Sequence, residues 1–152
     1  MDERQRLRAD IAAHYEQLGL SGTAARVLGQ LVLEPTGRSD APALAEQLNV
    51  AKSSMSVALA TLERYGLVSR ERGTGSRREQ IVLSDDAFES VFLSKLPALS
   101  AFLELAERGL GMTPPDSDAA RRLARMRDFY AYMLREFPRL LEGWQRELGR
   151  LS

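Results

Sequence analysis

The sequence predicts a mainly α-helical fold with one small β-hairpin, and three observations carry that expectation. Apolar residues recur at helical spacing through most of the 152 residues. One central stretch, 67–83, changes to two short strand-like runs on either side of a glycine tip. The last third repeats apolar residues at alternating spacings of three and four.

The elements follow in order. Leu7, Ile11, Tyr15 and Leu18 place a first helix over 2–18, stopped by Gly19. A second runs from near Ser21 to Leu33, before Pro35 and Gly37. Ser39 or Asp40 caps a short third helix ending at Leu48, with Leu44, Ala45 and Leu48 inward. Asn49 and Val50 turn the chain into a fourth helix, about 52–65, closed by Gly66. Residues 67–72 and 79–83 read as a two-stranded hairpin around Gly73-Thr74-Gly75-Ser76. Asp85 or Asp86 restarts helix, and Pro97 should kink or split it. Thr113-Pro114-Pro115-Asp116 breaks the chain before the final helix. There Leu123, Met126, Tyr130, Met133, Phe137, Leu140 and Trp144 form a heptad-like seam, and Pro138 predicts a kink or two abutting helices.

Three short helices followed by a glycine-tipped hairpin make a winged helix-turn-helix. The expected organisation is a terminal helix over 1–20, the winged helix-turn-helix over 21–84, and a helical region over 85–152. The terminal helices flank a domain too small to cover them. The final seam, with Leu7 and Ile11 of the first helix, is therefore expected to form a dimer interface.

Composition narrows the function. An apolar fraction of 44% with 28% charged residues fits an ordinary globular chain, and no apolar run approaches the ~20 residues of a membrane span. The charged amino terminus leads into no apolar signal core, and there is no cysteine, which together predict a cytoplasmic location. His14 is the only histidine, which excludes a His-based triad and a multi-His metal site. Asp85 and Asp86 suit helix capping better than catalysis, and the tip glycines lack a strand-to-helix setting for phosphate binding. No catalytic residue, metal or cofactor is expected.

The net charge is zero, but 52–83 holds six basic residues against three acids, between two slightly acidic flanks. In the fourth helix Met55, Ala58, Leu59 and Leu62 form the core stripe. Ser53, Ser54, Ser56, Val57 and Arg64 fall elsewhere on it, small enough to approach base edges. Lys52 is placed for a backbone phosphate, and Arg72, Arg77 and Arg78 flank the hairpin tip, where arginine reaches a minor groove or a phosphate. Double-stranded DNA is thus the expected partner. A winged helix used as a protein–protein module without DNA binding is the alternative.

The run Leu44-Ala45-Glu46-Gln47-Leu48-Asn49-Val50-Ala51-Lys52-Ser53-Ser54-Met55-Ser56, with Leu62-Glu63-Arg64-Tyr65-Gly66-Leu67-Val68, resembles MarR-type winged-helix regulators. Gly19 to Gly29, Gly75 to Glu79, and Asp128 to Tyr132 with Phe137-Pro138 and Trp144 resemble the GbsR branch of that group. The resemblance implies a homodimer joined by its terminal helices and bound to a pseudo-palindromic operator, usually as a repressor. It maps the family's wing arginine onto Arg77, with Arg78 beside it. Many relatives have an acid before that arginine, whereas this chain has Ser76. The branch is associated with choline and glycine betaine metabolism, which implies a small-molecule effector held by an aromatic cage. Tyr15, Phe88, Phe92, Phe102, Tyr130 and Trp144 are the available rings, and none is assigned to a ligand.

Overall fold

The computed structural model describes residues 1–73 and 78–152, which form two compact units, Met1–Val91 and Phe92–Ser152. In the first, helices α1 (Glu3–Gln17), α2 (Gly22–Val32), α3 (Ala41–Leu48) and α4 (Lys52–Arg64) accompany strands β1 (Arg38–Ser39), β2 (Val68–Arg72) and β3 (Glu79–Leu83). Helix α5 (Ala87–Leu93) follows. The second unit holds α6 (Leu96–Gly111) and α7 (Asp118–Leu151).

Local chemistry sets the helix ends. The Asp2 carboxylate accepts from the Gln5 N–H while Gln5 Oε1 accepts from the Asp2 N–H, a reciprocal cap that starts α1. Ser21, Asp40 and Ser117 cap α2, α3 and α7 in the same way from one side. Asn49 ends α3 in the left-handed region (φ 52°, ψ 53°), which Asn tolerates better than most residues. That single residue turns the chain into α4. Gly66, at φ 76°, closes α4 and sends the chain into β2.

Leu28, Leu31, Leu44, Met55, Leu59, Leu62, Leu67 and Ile81 are fully buried in this unit. All but Leu28 belong to one cluster with Val27, Val68 and Val91, bringing α2, α3, α4 and the sheet onto one core. Each such side chain contributes roughly 1.5–3 kcal/mol by leaving water. Helix α1 lies on α2 through Ala12 and Gly29, at an approach so close that a Cβ on Gly29 would sit 2.7 Å from the Arg8 carbonyl oxygen.

One feature adds to the sequence-based expectation, and two choose between its alternatives. The hairpin is the larger part of a three-stranded antiparallel sheet of order β1-β3-β2, with Arg38 opposite Val82 and Ser39 opposite Ile81. Pro97 splits the helical stretch rather than kinking it: α5 ends at Leu93, and the proline falls in the first turn of α6, where its missing N–H has no intrahelical role. Pro138, in contrast, lies inside one continuous 34-residue helix, not between two abutting ones. It is exposed, so water can satisfy the carbonyl it leaves unpaired.

Within the second unit α6 packs on α7. The Gly109 backbone meets Leu123, and Phe102 stacks on Tyr130 with ring centroids 5.2 Å apart at 17°. Seven residues back along α6 thus match seven residues on along α7, so the start of α6 at Leu96 falls opposite the Glu136 turn. Beyond it α6 offers nothing to pack against. Leu140, Trp144, Leu148 and Leu151 are exposed there, Leu140 to 70%.

Candidate nucleic-acid interface

Helix α4 divides as its sequence pattern predicts. Met55, Ala58, Leu59 and Leu62 are buried at 0–2% exposure, while Lys52, Ser53, Ser54, Ser56, Val57, Ala60 and Arg64 are all exposed. Val57 is 69% exposed at the middle of a face otherwise made of small and polar residues. Nothing in the unit's own folding requires a β-branched apolar side chain there.

The start of α4 is also locally unfavourable. Ala51 occupies the N-cap without a side-chain hydrogen bond, whereas the side chains of Asp2, Ser21, Asp40 and Ser117 cap α1, α2, α3 and α7. An uncapped start forgoes about 1 kcal/mol. Lys52 then puts a cation at the positive end of the helix dipole. An anion at this end would relieve both defects.

By sequence, Ser21 and Thr23 mark only the start of a helix. The fold places both beside Ser53, Ser54, Val57 and Ala58 around a shallow groove of about 340 Å³. The first turns of α2 and α4 therefore share one hydroxyl-rich surface. The only sequence signal was a pair of hydroxyl residues at a helix start, which capping alone accounts for.

The central charge excess is reorganised by pairing. Arg70 Nε donates to Glu63 Oε2 at 2.8 Å and Nη1 to Glu79 Oε2 at 3.3 Å. The hydrogen bond to Glu63 is the main reason its guanidinium is held further into the charged form, against a smaller opposing effect of burial. Glu71 pairs with Arg38 at 2.9 Å, across the sheet from β1. All three acids of 52–83 are thus tied to Arg70 or Arg38, and Arg70 couples α4 to both wing strands. Among the described residues, Lys52, Arg64 and Arg72 take part in no ion pair. Arg64 lies over the Tyr65 ring, 5.3 Å from its centroid.

Arg78, 74% exposed, has Nη1 3.6 Å from Asp40 Oδ2. Asp40 also caps α3 through its other oxygen, so the returning wing strand is anchored at the base of the helix-turn-helix. Thr74, Gly75, Ser76 and Arg77, including the arginine expected to lead the wing, lie outside the described residues.

The residues expected at a dimer interface divide into two sets. Leu123 and Tyr130 pack on α6, and Met126, Met133 and Phe137 are half-buried. Leu140 and Trp144 are exposed, as is Leu7 of α1, with Ile11 half-buried. Three of the six rings considered for an aromatic cage are engaged otherwise: Tyr15 packs against the winged-helix core, and Phe102 lies flat on Tyr130. Rings stacked on one another hold no cation between them. Among the described residues no group of three or more His, Cys, Asp or Glu is arranged for a metal, and no helix is long and apolar enough to cross a membrane.

A helix-turn-helix whose second helix exposes a small-residue face, with a sheet-anchored wing beside it, defines a winged helix-turn-helix protein. The chain belongs to the MarR family of transcriptional regulators. The MarR family model matches residues 18–79, and that of MmpR5-like MarR family transcriptional regulators matches residues 86–147. The chain is 30% identical over 126 residues to the HTH-type transcriptional regulator MmpR5 of Mycobacterium tuberculosis (strain ATCC 25618 / H37Rv), covering 81% of this chain and 75% of that protein. It is also similar to a transcriptional regulator of known crystal structure, with a TM-score of 0.78 and 26% identity over 95% of this chain and 99% of that one.

Proposed function

We infer that the protein is a homodimeric repressor that reads a pseudo-palindromic operator, with α4 in the major groove and the wing on the flanking backbone. The exposed face of α4 carries this reading. Its serines and Val57 present small donors, acceptors and a methyl surface to base edges. Lys52 and the uncapped helix start meet a phosphate, and Ser21 and Thr23 reach the same strand from the start of α2. Arg72, Arg77 and Arg78 supply the wing contacts, and Arg70 positions the wing against α4 through its two ion pairs.

The exposed carboxy-terminal half of α7, with Leu7 of α1, supports dimerisation, since a two-fold operator demands a two-fold reader. A small-molecule effector that relieves binding completes the proposal.

Fluorescence anisotropy on duplexes tiled across the region upstream of the protein's own coding sequence tests the reading at several salt concentrations. One tile should bind tightly, at two protomers per site. Each lost phosphate contact lowers the slope of log K against log salt by about 0.9, so Arg72→Ala in a dimer should flatten it by about 2. Equal binding to random duplex, or none at any salt, would overturn the proposal in favour of a protein–protein module.

A further inference from the structure

Val57 is an exposed apolar residue that the fold does not use. Of the large apolar side chains described in the first unit, only Met1 at the terminus is more exposed. It is also a poor choice for the helix itself, since a β-branched side chain loses rotamer freedom against the preceding turn. Whatever Val57 contributes lies outside the protomer's own core.

The neighbours of Val57 on the surface of α4 are set by helical spacing: Ser53 and Ser54 on one side, Ala60 and Thr61 on the other. The two sides differ in chemistry. Towards the start of the helix, Ser53 and Ser54 join Ser21 and Thr23 of α2 around the hydroxyl-rich groove, with Val57 as its apolar edge. Towards the end, Ala60 has no polar side-chain atom, and the Thr61 hydroxyl donates to the Val57 carbonyl at 3.1 Å. That bond uses the only side-chain donor of the turn after Val57. The middle of the exposed face is therefore a small patch that offers a base no side-chain hydrogen.

Among the groups that base pairs present in the major groove, the one that matches an apolar patch is the C5-methyl of thymine. We propose that Val57 is a specificity-determining residue that reads a thymine methyl in each operator half-site. The isopropyl group also acts against other pairs. Set over guanine O6 or adenine N6, it would shut water away from a polar atom and supply no partner. The inference rests on α4 lying in the major groove and goes beyond it by naming the group read and the residue that reads it.

The test is a uracil scan of the duplex that the full-length protein binds, replacing thymines one at a time by deoxyuridine, which removes the methyl and keeps every hydrogen-bonding atom. One thymine per half-site should show a penalty of about fourfold in anisotropy, the value of one buried methyl-sized group. Val57→Ala keeps α4 folded, since alanine is the better helix former at an exposed position, and it should bind the thymine and uracil duplexes equally. A tightly bound duplex that tolerates uracil at every position would overturn the assignment while leaving the DNA reading intact. A penalty of the same size in Val57→Ala would also overturn it, since the methyl would then act through another residue or through duplex shape. Binding to no duplex at all would overturn the DNA reading and this inference together, and would make Val57 a protein contact.

Discussion

Replacing Gly29 by alanine should destabilise the protein, although the same change inside a helix ordinarily stabilises. Gly29 is buried within α2, and alanine there gains about 1 kcal/mol in helix propensity. The new Cβ, however, would lie 2.7 Å from the Arg8 carbonyl oxygen and 3.4 Å from Ala12 Cβ. A backbone oxygen cannot rotate away, so α1 must move off α2, and such overpacking costs about 1–3 kcal/mol. The net expectation is a loss of about 1 kcal/mol, with α1 displaced. Gly109 provides the control. Its added Cβ would meet Leu123 Cδ1 at 2.9 Å and Cδ2 at 3.1 Å, the far end of a side chain that can change rotamer. Gly109→Ala should therefore fall between neutral and about 1 kcal/mol stabilising. Urea denaturation followed by circular dichroism, at one fixed protein concentration because association shifts the midpoint, measures both. A Gly29→Ala protein as stable as the wild type, or a Gly109→Ala protein harmed as much as Gly29→Ala, would refute the reasoning from close approach.

Two further outcomes follow from the same structure. Charged residues at Leu140 and Leu148 together should convert the proposed dimer to monomers in sedimentation, since this part of α7 has no α6 opposite it and both side chains are exposed; a dimer that survives the pair refutes that interface. Burial raises the Tyr15 phenol above its ordinary value of 10.0, so stability is retained below that pH and falls as pH rises through the folded-state value, where only the unfolded chain ionises freely. Tyr15→Phe should remove this component and flatten the alkaline limb of a pH–stability curve, and an unchanged limb would argue against it.

Much of the fold was legible because the deciding patterns are local. The core stripe of α4 is a matter of spacing, and Met55, Ala58, Leu59 and Leu62 occupy it as read. Asp40, Asn49 and Gly66 announce helix ends by side-chain and backbone chemistry that needs no neighbour. β1 was not legible, because two residues carry no periodicity and Arg38–Ser39 becomes a strand only by pairing with β3. Of the two outcomes the sequence left at Pro138, a kinked helix or two abutting ones, the structure has one continuous helix, and the exposed position spares it the cost of a buried unpaired carbonyl.

The candidate site divides along the same line. The small, polar face of α4 and the excess of basic residues around it are properties of composition and spacing, and the sequence alone determined them. Which charges remain available was decided only in three dimensions. Arg70 is one of six cations by composition, but folding places Glu63 and Glu79 on either side of it, and Arg38 comes from outside the basic segment to pair with Glu71. The approach of α2 to α4 that gathers Ser21 and Thr23 beside Ser53 was equally invisible. Helix periodicity reports which way one element faces. Ion pairing and pocket formation depend on which elements meet, and that is settled by the packing of the shared core.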